Sequence, residues 1–254
     1  GETGRLVVDM HHIISDGISH DVLEQDFVGL MSGVELPPLR IQYKDFSVWQ
    51  SGEYHSREIR RQEAYWLEQF SDGGPLLKLP YDSPRSAVQS FAGRTAAFTL
   101  TGECSTRVHR LAQEENVTFF MMTLALFNLW LHRLSGAEDV VVGTPAAGRR
   151  HADLERVIGM FVNTLPIRNR PHGGRTFRKF LRDVKSRALQ AFENQEYPFE
   201  ELVEKVVQTR DPGRNPLFDV MVAVQNAGET KGNHGPDPVE FAPVDAPAKF
   251  DLSL

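Results

Sequence analysis

The chain opens on an apolar run, Leu6-Val7-Val8-Asp9-Met10, whose composition suits a strand, and the run ends at two adjacent histidines. Over residues 18–31 the pattern changes to helical spacing. Val22, Leu23, Asp26, Phe27 and Leu30 recur at that interval, and Gly33 is placed to end the helix. Leu36-Pro37-Pro38-Leu39 then requires extended backbone, because each proline disfavours helix at the residue before it. Two more helical patterns follow at 43–51 and 56–70, carrying Phe46, Trp49, Tyr65, Trp66, Leu67 and Phe70. Residues 71–93 turn to Gly, Pro, Ser and Asp with little period, which predicts a linker between two lobes.

Beyond it, residues 95–101 alternate apolar and polar as a strand does, and helices are expected over 103–115 and 118–134. Short apolar runs at 139–144 and 163–170 suit buried strands. A helix over 176–192 places Phe177, Phe180, Leu181, Val184, Ala188 and Phe192 on one stripe. Another begins after Pro198, and residues 217–224 return to strand. Strands alternating with helices in this order predict an α/β, two-layer sandwich. The last residues, Lys249-Phe250-Asp251-Leu252-Ser253-Leu254, alternate without a closing turn, so the chain reads as an excerpt of something longer.

Composition changes this picture little. The 254 residues allow one large domain or two lobes, and 41% hydrophobic with 24% charged residues is ordinary for a soluble globular protein. A formal charge of -6 gives no general attraction to nucleic acid. The single cysteine, Cys104, leaves no disulfide or cysteine cluster and fits a reducing, cytoplasmic setting. No leader with a basic start and an apolar core opens the chain. The most apolar segment, 117–134, is interrupted by Thr118, Thr123, Asn128, His132 and Arg133, so it is expected as a core helix and not a membrane span. Phe119, Phe120, Met121, Met122, Phe127 and Trp130 are assigned to that core.

The candidate chemistry lies in Met10-His11-His12-Ile13-Ile14-Ser15-Asp16-Gly17. An imidazole where a strand empties into a loop can hydrogen-bond a substrate and move a proton near neutral pH. Side chains of adjacent residues on extended backbone point to opposite sides, so one histidine faces a substrate and the other packs behind it. His12, Asp16 and His20 are spaced by four, as metal ligands on one helix face would be. Ser15-Asp16-Gly17 reads instead as a helix entry with His12 before it, and no further ligand cluster accompanies the three.

The segment matches HHxxxDG, the hallmark of condensation domains of nonribosomal peptide synthetases, and four more stretches resemble that family in order. Tyr43-Lys44-Asp45-Phe46-Ser47-Val48-Trp49 resembles YxDFAVW, and Ile158-Gly159-Met160-Phe161-Val162-Asn163-Thr164 resembles IGxFVNT. Asn194-Gln195-Glu196-Tyr197-Pro198-Phe199-Glu200 resembles HQDxPFE, with asparagine in place of the usual histidine. Arg210-Asp211-Pro212-Gly213-Arg214-Asn215-Pro216-Leu217 resembles RDxSRNPL, with glycine in place of serine.

The resemblance implies two chloramphenicol acetyltransferase-like lobes. Residues 1–71 would be the end of a partial first lobe carrying the histidine loop, 72–93 the linker, and 94–254 a nearly complete second lobe. It also implies amide formation between a donor aminoacyl or peptidyl thioester and the amine of an acceptor aminoacyl thioester. Both are presented on phosphopantetheine arms by donor and acceptor peptidyl carrier proteins, next to an adenylation domain. The domain itself is expected to bind no cofactor and no metal, and neither nucleic acid nor membrane is expected as a partner.

By the resemblance His12 is the catalytic residue, as general base or by positioning the amine. His11, Asp16 and Gly17 support it. Asp16 is expected to pair across the lobes with Arg149, bidentately, and Gly17 to supply a turn closed to other residues. Phe161, Asn163 and Thr164 are candidate tunnel-lining residues, with ordinary packing favoured for Phe161. The basic stretch Arg168, Arg170, Arg175, Arg178, Lys179, Arg182, Lys185 and Arg187 is read first as a solvated face, and second as a docking surface for an acidic carrier protein. Histidines in place of aspartates argue against a heterocyclising relative. A stand-alone CoA-dependent acetyltransferase would carry the motif near its end. An epimerisation domain and a non-catalytic recruitment platform remain the alternatives.

Overall fold

In the computed structural model, residues 6–224 and 248–254 are described, without the side chains of 53–55. Seven helices are found among them: α1 (Gly17–Met31), α2 (Tyr43–Gln50), α3 (Glu53–Gln69), α4 (Gly102–Glu114), α5 (Phe119–Ser135), α6 (Phe177–Glu193) and α7 (Phe199–Val206). Four strands, β1 (Val140–Ala146), β2 (Asn163–Asn169), β3 (Val220–Met221) and β4 (Leu252–Ser253), form one sheet in the order β2-β1-β3-β4. β3 runs parallel to β1, with Gly143 opposite Met221, and β4 runs parallel to β3, with Met221 opposite Ser253. This is the α/β class that the hydrophobic pattern predicts.

The helices start where the sequence offers side-chain oxygens. Asp16, Thr101, Thr118 and Thr176 each accept a hydrogen bond from the third residue beyond them, satisfying an N–H that has no partner inside the helix. α1 stops at Gly33, which adopts a φ of 76°. α5 packs on β1 and between α4 and α6. It contributes Leu124, Ala125 and Leu131 to a core shared with Val140, Val142, Leu165, Leu181 and Val184, all without solvent exposure. Phe119 and Trp130 depart from their assignment to this core: with Leu126 they form an exposed stripe on the far side of α5. A helix apolar nearly all round still presents one face away from its neighbours. Among the described residues no single helix is long and apolar enough to cross a membrane.

By compactness the chain divides into two units. Among the described residues the first holds 6–59 and 147–163; the second holds 60–146, 164–224 and 248–254. The division differs from the expected 1–71, 72–93 and 94–254. It falls within α3, between Ile59 and Arg60, and the whole of 72–93 lies in the second unit. That segment is irregular but tied down: Arg85 reaches the Gly213 carbonyl and Asp251, Arg214 reaches the Leu77 carbonyl, and the Gln89 N–H reaches the Pro212 carbonyl. Its Gly, Pro and Asp content encodes turns, not freedom.

Two expected strands are absent and two are shorter. Residues 6–10 and 95–101 join no ladder among the described residues, and Val7 and Phe98 are exposed. An alternating pattern becomes a strand only where another strand accepts its hydrogen bonds. β3 is confined to Val220–Met221, and Leu217, at φ 66°, interrupts the extended path before it.

Candidate functional site

The histidine loop belongs to the first unit. His11 caps a short 3-10 turn, His12–Ile14, its Nδ1 accepting from the Ile13 N–H at 3.0 Å. His12 Nδ1 lies 2.7 Å from the Ser15 carbonyl oxygen. A carbonyl can only accept, so this contact places a proton on Nδ1, and in the neutral ring Nε2 is then the acceptor. Nε2 has no hydrogen-bond partner among the described residues, and the His12 side chain is exposed. His11 is exposed too, where packing behind its neighbour was expected. The backbone turns at His12, so the two side chains do not alternate as they would along a strand.

The loop is held from beneath by Asp16, which has no solvent exposure. Its Oδ1 accepts from the Ser19 N–H at 2.8 Å, the Ser19 hydroxyl at 2.7 Å and Arg149 Nη2 at 2.8 Å, and its Oδ2 accepts from the Phe161 N–H at 3.1 Å. Burial alone pushes this carboxyl up. The hydrogen bonds from Ser19, Arg149 and Phe161 outweigh it and hold the group below the ordinary aspartate value, so Asp16 is a carboxylate.

Arg149 is the centre of the clamp. Nη1 donates to the carbonyls of Leu154 at 2.7 Å and Val157 at 2.6 Å, and Nη2 also reaches Ser19 Oγ at 3.0 Å. The guanidinium lies over the Phe161 ring, 4.1 Å from its centroid. The Asp16–Arg149 contact anticipated from sequence is therefore present, but through one nitrogen and not as a bidentate fork. The two residues straddle the expected lobe boundary and yet share one compact unit.

Sequence reasoning missed three supporting positions. Ser19 links Asp16 to both the carbonyl and the N–H of Gly159, at 2.9 and 3.0 Å. The signal was available, since a hydroxyl three residues after a helix cap faces back to it. Gly148, at φ 68°, has no room for a side chain: a Cβ there would sit 2.0 Å from the Phe161 carbonyl oxygen. Gly159 lies under the Tyr43 ring, 2.1 Å from where its Cβ would be, and the Tyr43 hydroxyl donates to the Met160 carbonyl at 2.9 Å. The tyrosine of the second motif thus rests on the glycine of the third. Gly17 differs from expectation: it is the first residue of α1, its φ is not positive, and a Cβ would meet nothing within 4 Å.

Phe161 is buried, in ring contact with Tyr43 at 5.0 Å and Phe46 at 4.8 Å, so its side chain is occupied by packing. Asn163 and Thr164 open β2 and are half-buried. Among the described residues no group of three His, Cys, Asp or Glu side chains is placed to hold a metal ion.

The remaining motifs are structural parts of the second unit. Trp66 Nε1 donates to the Asn194 carbonyl at 2.8 Å, and Gln62 Oε1 accepts from the N–H groups of Glu196 and Tyr197 at 2.9 and 3.2 Å. Arg214 pairs with Asp219 at 3.1 Å. A cleft of about 1410 Å³ lies between the end of α3, α7 and residues 207–219, and none of the predicted site residues lines it. The basic stretch is largely neutralised: Arg168 bonds Asp72 and Asp139, Arg175 pairs with Asp183, and Arg178 and Arg182 pair with Glu114 and Glu115.

Comparison with known proteins agrees with the motifs. The family model described as Condensation domain matches residues 2–254. The chain is 50% identical over 252 residues to one of the plipastatin synthase subunits of Bacillus subtilis (strain 168), covering 98% of this chain and 7% of that protein. It is 47% identical over 252 residues to gramicidin S synthase 2 of Brevibacillus brevis, again covering 98% of this chain and 6% of the relative. The structure is similar, with a TM-score of 0.76 and 26% identity, to a four-domain nonribosomal peptide synthetase bound to AMP and glycine. That match covers 87% of this chain and 17% of the other. The chain therefore spans a small part of the proteins it resembles.

Proposed function

Since the chain belongs to the condensation-domain family of nonribosomal peptide synthetases, we propose that it joins a donor aminoacyl or peptidyl thioester to the amine of an acceptor aminoacyl thioester. Each substrate arrives on the phosphopantetheine arm of a carrier protein. The amine nitrogen attacks the thioester carbonyl, the C–N bond forms, the C–S bond breaks, and the donor arm leaves as its thiol. The thioester is already activated, so the protein's task is to orient the amine and handle its proton.

The observation that supports this reading is the state of His12. Its Nδ1–H is held on the Ser15 carbonyl, which leaves Nε2 of the neutral ring to accept a hydrogen bond from the incoming amine. The Asp16–Arg149 clamp gives the loop a fixed base from which to do so. In this proposal residues 1–71 end a first acetyltransferase-like lobe and 94–254 belong to a second. Phe161 acts by packing, and Asn163 and Thr164 face the substrates. An adjacent adenylation domain loads the acceptor carrier, and the reaction takes place in the cytoplasm.

The test uses the full-length protein with donor and acceptor carriers loaded. Wild type forms the dipeptidyl thioester, and His12→Ala lowers its rate by roughly 10²–10⁴-fold. An undiminished rate in His12→Ala removes His12 from the chemistry. Release of a D-configured aminoacyl thioester reassigns the domain to epimerisation, and carrier binding without turnover reassigns it to a recruitment platform.

A further inference from the structure

We propose that His20 is a positioning residue for His12, acting through Ser15. Ser15 is fully buried between two imidazoles. Its carbonyl oxygen lies 2.7 Å from His12 Nδ1, and its hydroxyl oxygen lies 3.3 Å from His20 Nε2. The two imidazoles meet different parts of Ser15, His12 its backbone carbonyl and His20 its hydroxyl, and the His20 end is the firm one. His20 belongs to the first turn of α1, where its N–H donates to the Asp16 carbonyl at 3.1 Å. That turn is fixed to Arg149, Gly159 and Phe161 through Asp16 and Ser19. The His12 end has no such anchor. Ile13 and Ile14 are 70% and 58% exposed, so apolar burial does little to orient the 3-10 turn.

The orientation of His12 thus depends on the placement of Ser15, which His20 holds by its hydroxyl. Removing His20 leaves a buried hydroxyl without that partner, and Ser15 shifts to satisfy it, carrying its carbonyl with it. The inference rests on the role given to His12 above and adds a residue that the histidine motif does not include.

The experiment compares His20→Ala, His20→Gln, Ser15→Ala and the Ser15→Ala/His20→Ala double variant in the full-length protein with loaded carriers. A lost hydrogen bond of ordinary net strength lowers kcat about five-fold in His20→Ala, with KM for the acceptor unchanged. His20→Gln, which returns a polar nitrogen to the same reach, restores most of it. Ser15→Ala matches His20→Ala, and the double variant loses no more than either alone, because both break the same contact. A second readout is independent of turnover: the rate at which diethyl pyrocarbonate modifies His12, followed by peptide mass spectrometry against the exposed His151. It changes in His20→Ala and returns in His20→Gln. Unchanged kcat together with an unchanged His12 modification rate overturns the proposal. So does a loss that His20→Gln fails to restore, which marks His20 as merely structural. If His12→Ala is fully active, the role of His12 fails, and the modification rate still decides whether His20 orients it.

Discussion

Arg149 in the first unit and Arg168 in the second are both almost buried, with 3% and 7% of their side chains exposed, and both gather several acceptors. Their partners differ. Arg149 faces one carboxylate, Asp16, which has no solvent exposure, and its other contacts are backbone carbonyls, the Ser19 hydroxyl and the Phe161 ring. Arg168 faces two carboxylates, Asp139 and Asp72, whose side chains are 29% and 58% exposed, together with the Gln69 carbonyl at 2.8 Å. The first arrangement fixes a loop by enclosing its charge. The second fastens the end of α3, the entry to β1 and the end of β2 at a place where water shares the charge. Hydrogen bonds from Arg168 drive Asp72 well below the ordinary carboxylate range, and donating to Asp72 and Asp139 raises Arg168. The lesson is that the number of salt bridges does not rank the two clamps; the solvent left to the partner does.

The sharpest way to break this comparison is to delete each guanidinium. Arg149→Ala strands a carboxylate that has no access to water, and a loss of about 3–5 kcal/mol in the first unit is expected. Arg149→Lys does not restore it, because an ammonium cannot serve both the carbonyls and the carboxylate from one plane. Arg168→Ala leaves Asp72 and Asp139 where water can replace the lost donors, and the expected loss is roughly 1–3 kcal/mol. Hydrogen exchange read by mass spectrometry over 16–31 and 149–163 for one variant, and over 69–77 and 163–169 for the other, measures both in the intact protein. Equal losses, or a larger loss at Arg168, end the argument from solvent access.

The same contrast shows what could be read from sequence. The α/β class and the helices were legible, because helix caps and apolar stripes are local signals; the Asp16–Arg149 contact spans 133 positions and was anticipated only by matching the motif's acid to an arginine leaving a strand. Arg168 was misread as part of a basic face. Its partners lie 29 and 96 positions earlier, and no period connects them. The strand expected at 95–101 failed for a related reason: alternation gives a strand its faces but does not supply a partner. Gly148 and Gly159 stayed invisible as site residues because their need for a missing side chain comes from Phe161 and Tyr43, contacts that exist only after folding.

A smaller effect separates the clamps by pH. Asp16 has its folded value depressed, so its contribution to stability is present above the unfolded aspartate value, near 3.9. That contribution is lost as pH falls through the lower folded value. Exchange over 16–31, corrected for intrinsic rates, is therefore expected to rise as pH drops below about 4. Asp16→Asn, already destabilised at neutral pH, should lack that part of the acid response. If the variant shows the same acid dependence as wild type, another carboxylate governs the loop, and the enclosed charge of Asp16 is not what distinguishes the first unit.

The smallest effect tests whether the polar clamp alone shapes the histidine loop. Gly17 stands inside the motif, yet it occupies the first turn of α1 with open space where a side chain would go and with no positive φ. If the loop is held by Asp16, Ser19 and Arg149, then Gly17→Ala changes stability by less than about 1 kcal/mol, and toward greater stability, because alanine is the better helix former. Exchange over 16–31 should be unchanged or slower. A substantial loss of protection there would show that the glycine carries a backbone demand of its own. The first unit would then be set apart by its turn as much as by its buried charge.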